Sequence, residues 1–183
     1  MTEITSSKAA LIVVDMQVGT IANARSVPAE QLLTAVTYAI DQFRAATRPV
    51  IFAISTGTPP GVTQYGSQGR TWPSEDTQLL PEIHTSVDDL TVHRATWSAF
   101  TSTPLAEHLT EAEVSEVVIV GIATTFGVES TARSAADLGY NVIVLADAVS
   151  DPDQGGHDRT LARVIPALGQ VLTTKDYTPK SPE

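Results

Sequence analysis

The sequence predicts an α/β protein, a three-layer α/β/α sandwich built around a six-stranded, mainly parallel sheet. Short aliphatic runs, such as AALIVV at 9–14 and VVIV at 117–120, recur along the chain between segments with helical periodicity. These runs are continuous rather than alternating, which is typical of parallel strands that helices cover on both faces. The chain has 183 residues, the length of one domain, and we expect residues 1–183 to form it.

The amino-acid composition indicates which classes of partner the chain can bind. The formal net charge is −10 and the sequence pI is about 4.7. Because an acidic surface repels phosphate, we expect neither nucleic acid nor an anionic membrane as partner, and a small-molecule substrate fits better. No apolar run approaches the roughly 18 residues of a membrane span, and the start, MTEITSSK, has no signal-peptide core. The sequence therefore predicts a cytoplasmic protein.

The first strand, 9–14, ends at Asp15-Met16-Gln17. A carboxylate at the end of a buried strand either caps the next turn or belongs to a site, and the residues alone leave both open. Pro28 is a favoured first helical residue, and the apolar spacing that follows predicts a helix to about Ala45. Residues 50–54 form the second predicted strand, which ends at Ser55-Thr56-Gly57.

The segment 58–81 is long, rich in Gly, Pro, Ser and Thr, and contains Trp72. A loop of this length is as readily a lid or an interface as a plain surface loop. A short strand, 90–93, then leads into Arg94 and the segment 95–100. Thr103 and Pro104 predict the start of a short helix.

The centre of the chain reads as a βαβ unit. It has a strand at 117–120, a turn opened by Gly121, a helix from about Phe126 to Leu138 that stops at Gly139, and a strand at 142–146. Ligands of parallel sheets bind at the carboxyl ends of the strands, so the turn 121–127 is the predicted site. A polar turn at 147–153, a helix within 155–168 interrupted by Pro166, and a strand at 170–173 complete the prediction.

Cofactors are not expected. No G-x-G-x-x-G follows the first strand, so the predicted sheet is Rossmann-like without the dinucleotide fingerprint, and NAD is not expected. The four histidines, His84, His93, His108 and His157, are scattered without ligand spacing, and we expect no metal.

Several motifs occur in one order: VVDMQ at 13–17, SAF at 98–100, GIAT at 121–124, VESTAR at 128–133 and GY at 139–140. This order resembles the isochorismatase-like hydrolase superfamily, which includes nicotinamidases, N-carbamoylsarcosine amidohydrolases and isochorismatases. The resemblance covers nearly the whole chain. It implies the isochorismatase-like hydrolase fold and hydrolysis of a small molecule.

The resemblance also assigns catalytic residues. It makes Asp15 the catalytic acid or base and places Arg94 where the family has a lysine that pairs with this aspartate. Most of the family has a nucleophilic cysteine at the position of Gly127, whereas this chain contains no cysteine. Gly127 is then either a close-packing glycine or, as we prefer, a residue that opens room for substrate or water. The catalytic set is Asp15, Arg94 and Gly127.

Arginine is not equivalent to the lysine that the resemblance implies. A guanidinium stays charged and binds carboxylates through a planar fork, so Arg94 can hold Asp15 or a substrate carboxylate but is a poor proton donor. We expect its charge to lower the pKa of Asp15 unless burial raises it again.

The resemblance further implies a cis peptide bond at Ile122–Ala123. Together with free N–H groups of a helix that begins at Phe126–Gly127, this turn would form a cradle for an anion or a carbonyl group. The predicted substrate-binding residues are Gln17, Trp97, Phe100, Ile122, Ala123, Thr124 and Phe126. In the nicotinamidase branch an Asp-x-His pair at the positions of Ser55 and Gly57 binds a metal, so its absence is a second reason to expect none.

Two functions remain open. The first is hydrolysis without a covalent intermediate, as in true isochorismatases, where the aspartate protonates a vinyl ether carbon of the substrate and water takes the oxocarbenium ion. The second is a catalytically silent binding or scaffold protein in which Asp15 and Arg94 form an inert ion pair. The resemblance also implies a homodimer or homotetramer, with the loop 58–81 as a candidate arm.

Overall fold

The computed structural model describes residues 8–182. A central six-stranded sheet is built from strands β1 (Ala9–Val14), β2 (Val50–Ser55), β5 (Leu90–Arg94), β6 (Glu116–Ile122), β7 (Asn141–Ser150) and β8 (Gln170–Leu172). Its order is β5-β2-β1-β6-β7-β8, and every neighbouring pair is parallel. The helices are α1 (Ala29–Ala45), α2 (Leu105–Glu111), α3 (Glu129–Asp137), α4 (Gln154–Arg159) and α5 (Ile165–Leu168).

Alternate residues of β1 show why the sheet needs helices on both faces. Leu11 and Val13 pack with α1, whereas Ile12 and Val14 pack with apolar residues of α2, α3 and α5. All six residues of β1 are at most 1% exposed. The predicted three-layer α/β/α sandwich with a six-stranded parallel sheet is confirmed. No helix within residues 8–182 is long and apolar enough to cross a membrane.

The sheet order has a switch point between β1 and β6. From β1 the chain proceeds to β2 on one side, and later returns to place β6 on the other side of β1. At such a point the loops that follow the two strands diverge and leave a crevice at their carboxyl ends. Asp15 follows β1 and the segment 123–128 follows β6, so both lie at this crevice.

The central βαβ unit differs in detail from the prediction. Gly121 does not open a turn but lies inside β6, with a φ of +116° and against the carbonyl of Val14. A wide helical turn, Thr124–Val128, precedes α3, so the helical segment begins two residues earlier than predicted. A second wide turn, Thr160–Val164, separates α4 from α5 just before Pro166.

The predicted polar turn at 147–153 is wrong in its first half, because β7 continues to Ser150. Ala148 and Val149 are fully buried, and the Ser150 hydroxyl donates to the carbonyl of Val27 at 2.8 Å. Asp147 accepts from the N–H of Thr174 at 2.8 Å, where the register against β6 shifts. The polar residues are thus satisfied inside the strand rather than by solvent.

The long segment 58–81 has structure of its own. Strands β3 (Val62–Thr63) and β4 (Gly66–Ser67) form a small antiparallel hairpin whose residues are exposed. The return half of the segment is anchored to the sheet, since the N–H of Leu80 donates to the carbonyl of Met16 at 3.1 Å. This half therefore lies over the carboxyl end of β1.

Candidate active site

A cavity of about 460 Å³ opens at the carboxyl ends of β1, β2, β5 and β6. Most of the residues predicted for the site lie around it. The structure brings together Asp15, Gln17, Arg94, Trp97, Ile122, Ala123, Phe126 and Gly127. Their convergence follows from the parallel sheet, because strands of one direction end at one edge.

Two predicted substrate-binding residues do not line the cavity. Phe100 turns away and packs against Tyr140, with ring centroids 5.9 Å apart. Thr124 is fully buried, and its hydroxyl lies 2.9 Å from Nδ1 of His157, whose pKa burial lowers. The prediction that they line the site is wrong for both, because their side chains point into the helical layer rather than toward the crevice.

Asp15 is held in an unusual backbone conformation. It has a φ of +49°, a left-handed geometry that aspartate tolerates better than most residues. Its carbonyl accepts from the N–H of Gln17 at 2.9 Å and from the hydroxyl of Thr20. The carboxyl group is therefore fixed immediately beyond β1, at the floor of the cavity.

The expected pairing of Asp15 with Arg94 is present. Nη2 of Arg94 lies 2.7 Å from Oδ2 of Asp15, and Nη1 donates to the carbonyl of Thr96. Arg94 is only 4% exposed. It is therefore an internal cation that holds a carboxyl group, and not a solvated arginine at a strand edge.

Burial and the charge of Arg94 act in opposite directions on the pKa of Asp15. Burial raises the pKa of the Asp15 carboxyl to about 6, against the lowering effects of the charge and hydrogen bond of Arg94 and of the Ser55 backbone. Oδ1 of Asp15 is shielded from solvent and has no hydrogen-bond partner within residues 8–182. Of the two opposing effects that the sequence leaves open, burial is the larger, because removal from water outweighs one neighbouring charge.

Gly127 does not open space for substrate or water, contrary to the expectation. A Cβ atom at this position would lie 2.8 Å from Cγ1 of Val14, 3.2 Å from Nη2 of Arg94 and 3.3 Å from Oδ2 of Asp15. The missing side chain instead lets the ion pair approach the backbone. The close-packing alternative describes Gly127 correctly.

The turn after β6 is less free to bind anions than expected. The peptide bond between Ile122 and Ala123 is cis. The N–H groups of Phe126 and Val128 both donate to the Ala123 carbonyl at 3.1 Å, and that of Thr125 donates to Asp151 at 2.8 Å. The predicted cradle therefore lacks the N–H of Phe126, which the turn itself uses.

The end of β2 is filled by the long loop. Ser55 accepts a hydrogen bond from Nε1 of Trp72 at 3.1 Å, and its backbone pairs with both ends of the Gln17 amide. A Cβ atom on Gly57 would lie 2.0 Å from the carbonyl oxygen of Arg70. A larger residue at position 57 would displace this loop. Within residues 8–182, no group of three or more His, Asp or Glu side chains could hold a metal ion.

Sequence reasoning missed several lining residues. They come from the loops after β1, β5 and β7 and from the long loop, and comprise Gly19, Thr20, Asn23, Trp72, Asp76, Thr96 and Pro152. A tryptophan within a polar loop was the available signal for Trp72. Nothing in the sequence distinguishes Asp76 from other surface carboxylates.

Comparison with known proteins identifies the family of the chain. Residues 9–176 match the family model described as the isochorismatase domain. The isochorismatase family protein YwoC of Bacillus subtilis is 32% identical over 178 residues, which cover 93% of this chain and 92% of the relative. Nicotinamidase 3 of Arabidopsis thaliana is 34% identical over 166 residues, which cover 85% of this chain and 80% of the relative.

A solved structure agrees as well. An isochorismatase family protein from Burkholderia thailandensis has 30% sequence identity and a TM-score of 0.88, over 93% of this chain and 94% of that chain. The resemblance predicted from the motifs is confirmed at the level of the superfamily. This chain belongs to the isochorismatase family, whose members are hydrolases of small molecules.

Proposed function

We propose that the chain hydrolyses an enol ether without a covalent cysteine intermediate, with Asp15 as the general acid. The observation that carries the proposal is the buried Asp15 carboxyl, whose pKa burial raises to about 6. A general acid works best when its pKa lies near the working pH, because it is then both protonated and acidic enough to donate. The absence of cysteine from the chain supports a route without a thiol.

The reaction can be written with the residues present. Asp15 gives its proton to the terminal vinyl carbon, which becomes a methyl group, and the adjacent carbon becomes an oxocarbenium ion. Water adds to that carbon, its released proton returns to Asp15, and the hemiketal collapses to a ketone and an alcohol. Arg94, at 2.7 Å, stabilises the carboxylate that the first step leaves.

The aromatic side chains around the cavity would stabilise the oxocarbenium ion. Trp97 and Phe126 line the cavity with their ring centroids 5.2 Å apart, and Trp72 lines it from the long loop. The faces of such rings attract positive charge, so they favour an oxocarbenium ion over a neutral ground state.

One observation favours a second candidate, a binding or scaffold protein without catalysis. The Asp15–Arg94 pair is buried and closed, as an inert structural pair would be. The two candidates differ in turnover, since only the first requires the proton of Asp15 to leave.

The test is a screen of wild type and Asp15→Asn against isochorismate, simple amides such as nicotinamide, and small neutral and cationic enol ethers. General acids contribute roughly 10²–10⁴-fold, so we expect the variant to lose about that factor in kcat/KM on an enol ether. Asparagine keeps an acceptor for Arg94, so circular dichroism should report an intact fold. The exposed Asp88→Asn removes one charge elsewhere and serves as the control.

The pH profile adds a second readout. A general acid acts in its protonated form, so kcat/KM of wild type should be level below about pH 6 and fall about tenfold per unit above it. Turnover that survives in Asp15→Asn would refute the mechanism. If no class of substrate were turned over, the non-catalytic candidate would be supported instead.

A further inference from the structure

The cavity is lined by more acidic than basic side chains. Its ionisable lining residues are Asp15, Asp76 and Arg94. Arg94 is committed, since its side chain is 2% exposed and its two terminal nitrogens contact Asp15 and the carbonyl of Thr96. No uncommitted cation among residues 8–182 therefore lines the cavity to receive a substrate carboxylate.

Asp76, unlike Arg94, has a charged group that is available to a ligand. Its side chain is partly exposed, and its carboxylate accepts no hydrogen bond and forms no ion pair with the part of the chain described, residues 8–182. The Asp76 carboxylate is therefore an acceptor at the cavity for which residues 8–182 supply no donor.

Asp76 is held in place by its backbone. The N–H of Gly19 donates to the Asp76 carbonyl at 3.0 Å, and the N–H of Asp76 donates to the carbonyl of Pro73 at 3.1 Å. A Cβ atom on Gly19 would lie 2.7 Å from Cβ of Asp76. Gly19 therefore permits the close approach that puts this carboxylate at the cavity wall.

Three aromatic side chains also line the cavity. Trp72, Trp97 and Phe126 line the cavity, and Trp97 and Phe126 are 45% and 49% exposed. Ring faces and a free carboxylate together attract a planar or compact group with positive charge, and the net charge of −10 adds to this attraction.

We propose that this cavity selects a small substrate that is cationic, with Asp76 as its counter-charge and the three aromatic side chains as its walls, and that it rejects anions. The proposal deepens the proposed function and rests on it, since it names the substrate class of the same site. It makes dicarboxylates such as isochorismate poor substrates and an enol ether that carries an ammonium group a good one.

Binding can be measured without turnover, because both tryptophans of the chain line this cavity. The probes are three phenyl compounds of similar size: 2-phenylethylammonium, phenylacetamide and phenylacetate. Tryptophan fluorescence, excited at wavelengths that phenyl rings do not absorb, is titrated with each probe at low salt and neutral pH. We expect the ammonium to bind about tenfold more tightly than phenylacetate, with the amide between them.

Variants of Asp76 test the assignment. Asp76→Asn should bring the affinity for the ammonium close to that for the amide, and Asp76→Lys should reverse the order so that phenylacetate binds best. Asp88→Asn removes the same charge from an exposed position outside the cavity and should preserve the wild-type order. Far-UV circular dichroism on each variant separates a change in selectivity from a failure to fold.

The outcomes are distinct. Equal or tighter binding of phenylacetate by wild type, an order of affinities that is unchanged in both Asp76 variants, or no fluorescence response to any probe would each overturn the cation proposal.

The variant Asp15→Asn distinguishes a failure of the cation proposal from a failure of the proposed function. If that variant keeps the ammonium preference and wild type turns over no enol ether, only the proposed function fails. If wild type turns over a neutral or anionic enol ether without an ammonium preference, only the cation proposal fails.

Discussion

At the scale of residues, Gly127 is the main difference between this site and a site that uses a nucleophilic side chain. Because the space next to its Cα is taken by Val14, Arg94 and Asp15, a cysteine there would press on the ion pair. The oxygen that could take the thiol proton, Oδ2 of Asp15, is engaged by Arg94 at 2.7 Å, and the guanidinium itself does not exchange protons.

We therefore expect Gly127→Cys to create no amidase activity on nicotinamide and to cost about 1–3 kcal/mol of stability from overpacking. Combining it with Arg94→Lys removes the forked group at 3.2 Å and should recover part of that stability. Ammonia release and urea unfolding of both single variants and the double variant measure the two effects. A single Gly127→Cys variant that is already a competent amidase would contradict this account.

Asp15 also links stability to pH. The carboxyl has a pKa of about 6 when folded and 3.8 in the reference state, so between these values the folded protein holds a proton that the unfolded chain has released. Stability attributable to Asp15 is thus fully present below about pH 4 and is lost as the pH rises to about 6, by roughly 3 kcal/mol.

The measurement is urea unfolding of wild type and Asp15→Asn at several pH values from 4 to 7. The other titrating groups are shared, so the difference between the two curves isolates Asp15. We expect wild type to lose stability relative to the variant across this interval. A difference that stays constant, or that changes in the opposite direction, would show that the folded pKa is not raised.

The Asp15–Arg94 contact was predicted from the resemblance, which places Arg94 where the family has a lysine that pairs with this aspartate. The parallel sheet explains the contact, because β1 and β5 end at the same edge. The direction of the Asp15 pKa shift could not be predicted. Burial and the charge of Arg94 act in opposite directions, and their balance depends on the packed structure. Phe100 and Thr124 were misplaced for a similar reason. Their positions along the chain are close to the site, but the direction of each side chain depends on the local backbone.

At the scale of elements, two glycines with positive φ differ in what an added side chain would contact. Gly121, in β6, has a φ of +116°, and a Cβ there would lie 1.9 Å from the Val14 carbonyl oxygen. Gly139 follows α3 with a φ of +88° and has open space around it. Both positions disfavour an L side chain, but only the first also blocks the pairing of β1 with β6.

We expect Gly139→Ala to cost about 1–2 kcal/mol, the penalty of a left-handed residue. Gly121→Ala should cost several kcal/mol more or prevent folding, because the clash is with backbone and cannot be relieved by a side-chain rotation. Urea unfolding measures the first, and the soluble yield and circular dichroism reveal the second. Equal costs for the two variants would show that β6 can shift away from Val14.

The elements themselves could largely be predicted, because buried aliphatic runs and helical periodicity are local signals. The exceptions involve contacts that no local pattern encodes. β7 extends to Ser150 since Ser150 finds a partner in Val27, 123 positions away. The hairpin formed by β3 and β4 has too few residues to give a recognisable alternation.

At the scale of the whole molecule, the three-layer architecture could be predicted because continuous apolar strands with intervening helices allow few arrangements. The way in which copies of the chain associate is a separate question. The hairpin of β3 and β4 projects Val62 and Tyr65, which are 84% and 89% exposed. The resemblance makes the long loop the candidate arm, and these two apolar side chains lie close together on it, where association would bury them.

We expect the protein to form a dimer or a tetramer with this hairpin as its arm. Static light scattering at micromolar concentration should give at least twice the chain mass of 19.4 kDa. The double variant Val62→Ser/Tyr65→Ser should shift the mass toward that of one chain, because it removes apolar area that association would bury. Val87→Ser makes the same kind of change at a residue that is 96% exposed and lies outside the hairpin. This control should leave the mass unchanged, and a wild-type protein that is strictly monomeric would remove the role of the hairpin as an arm.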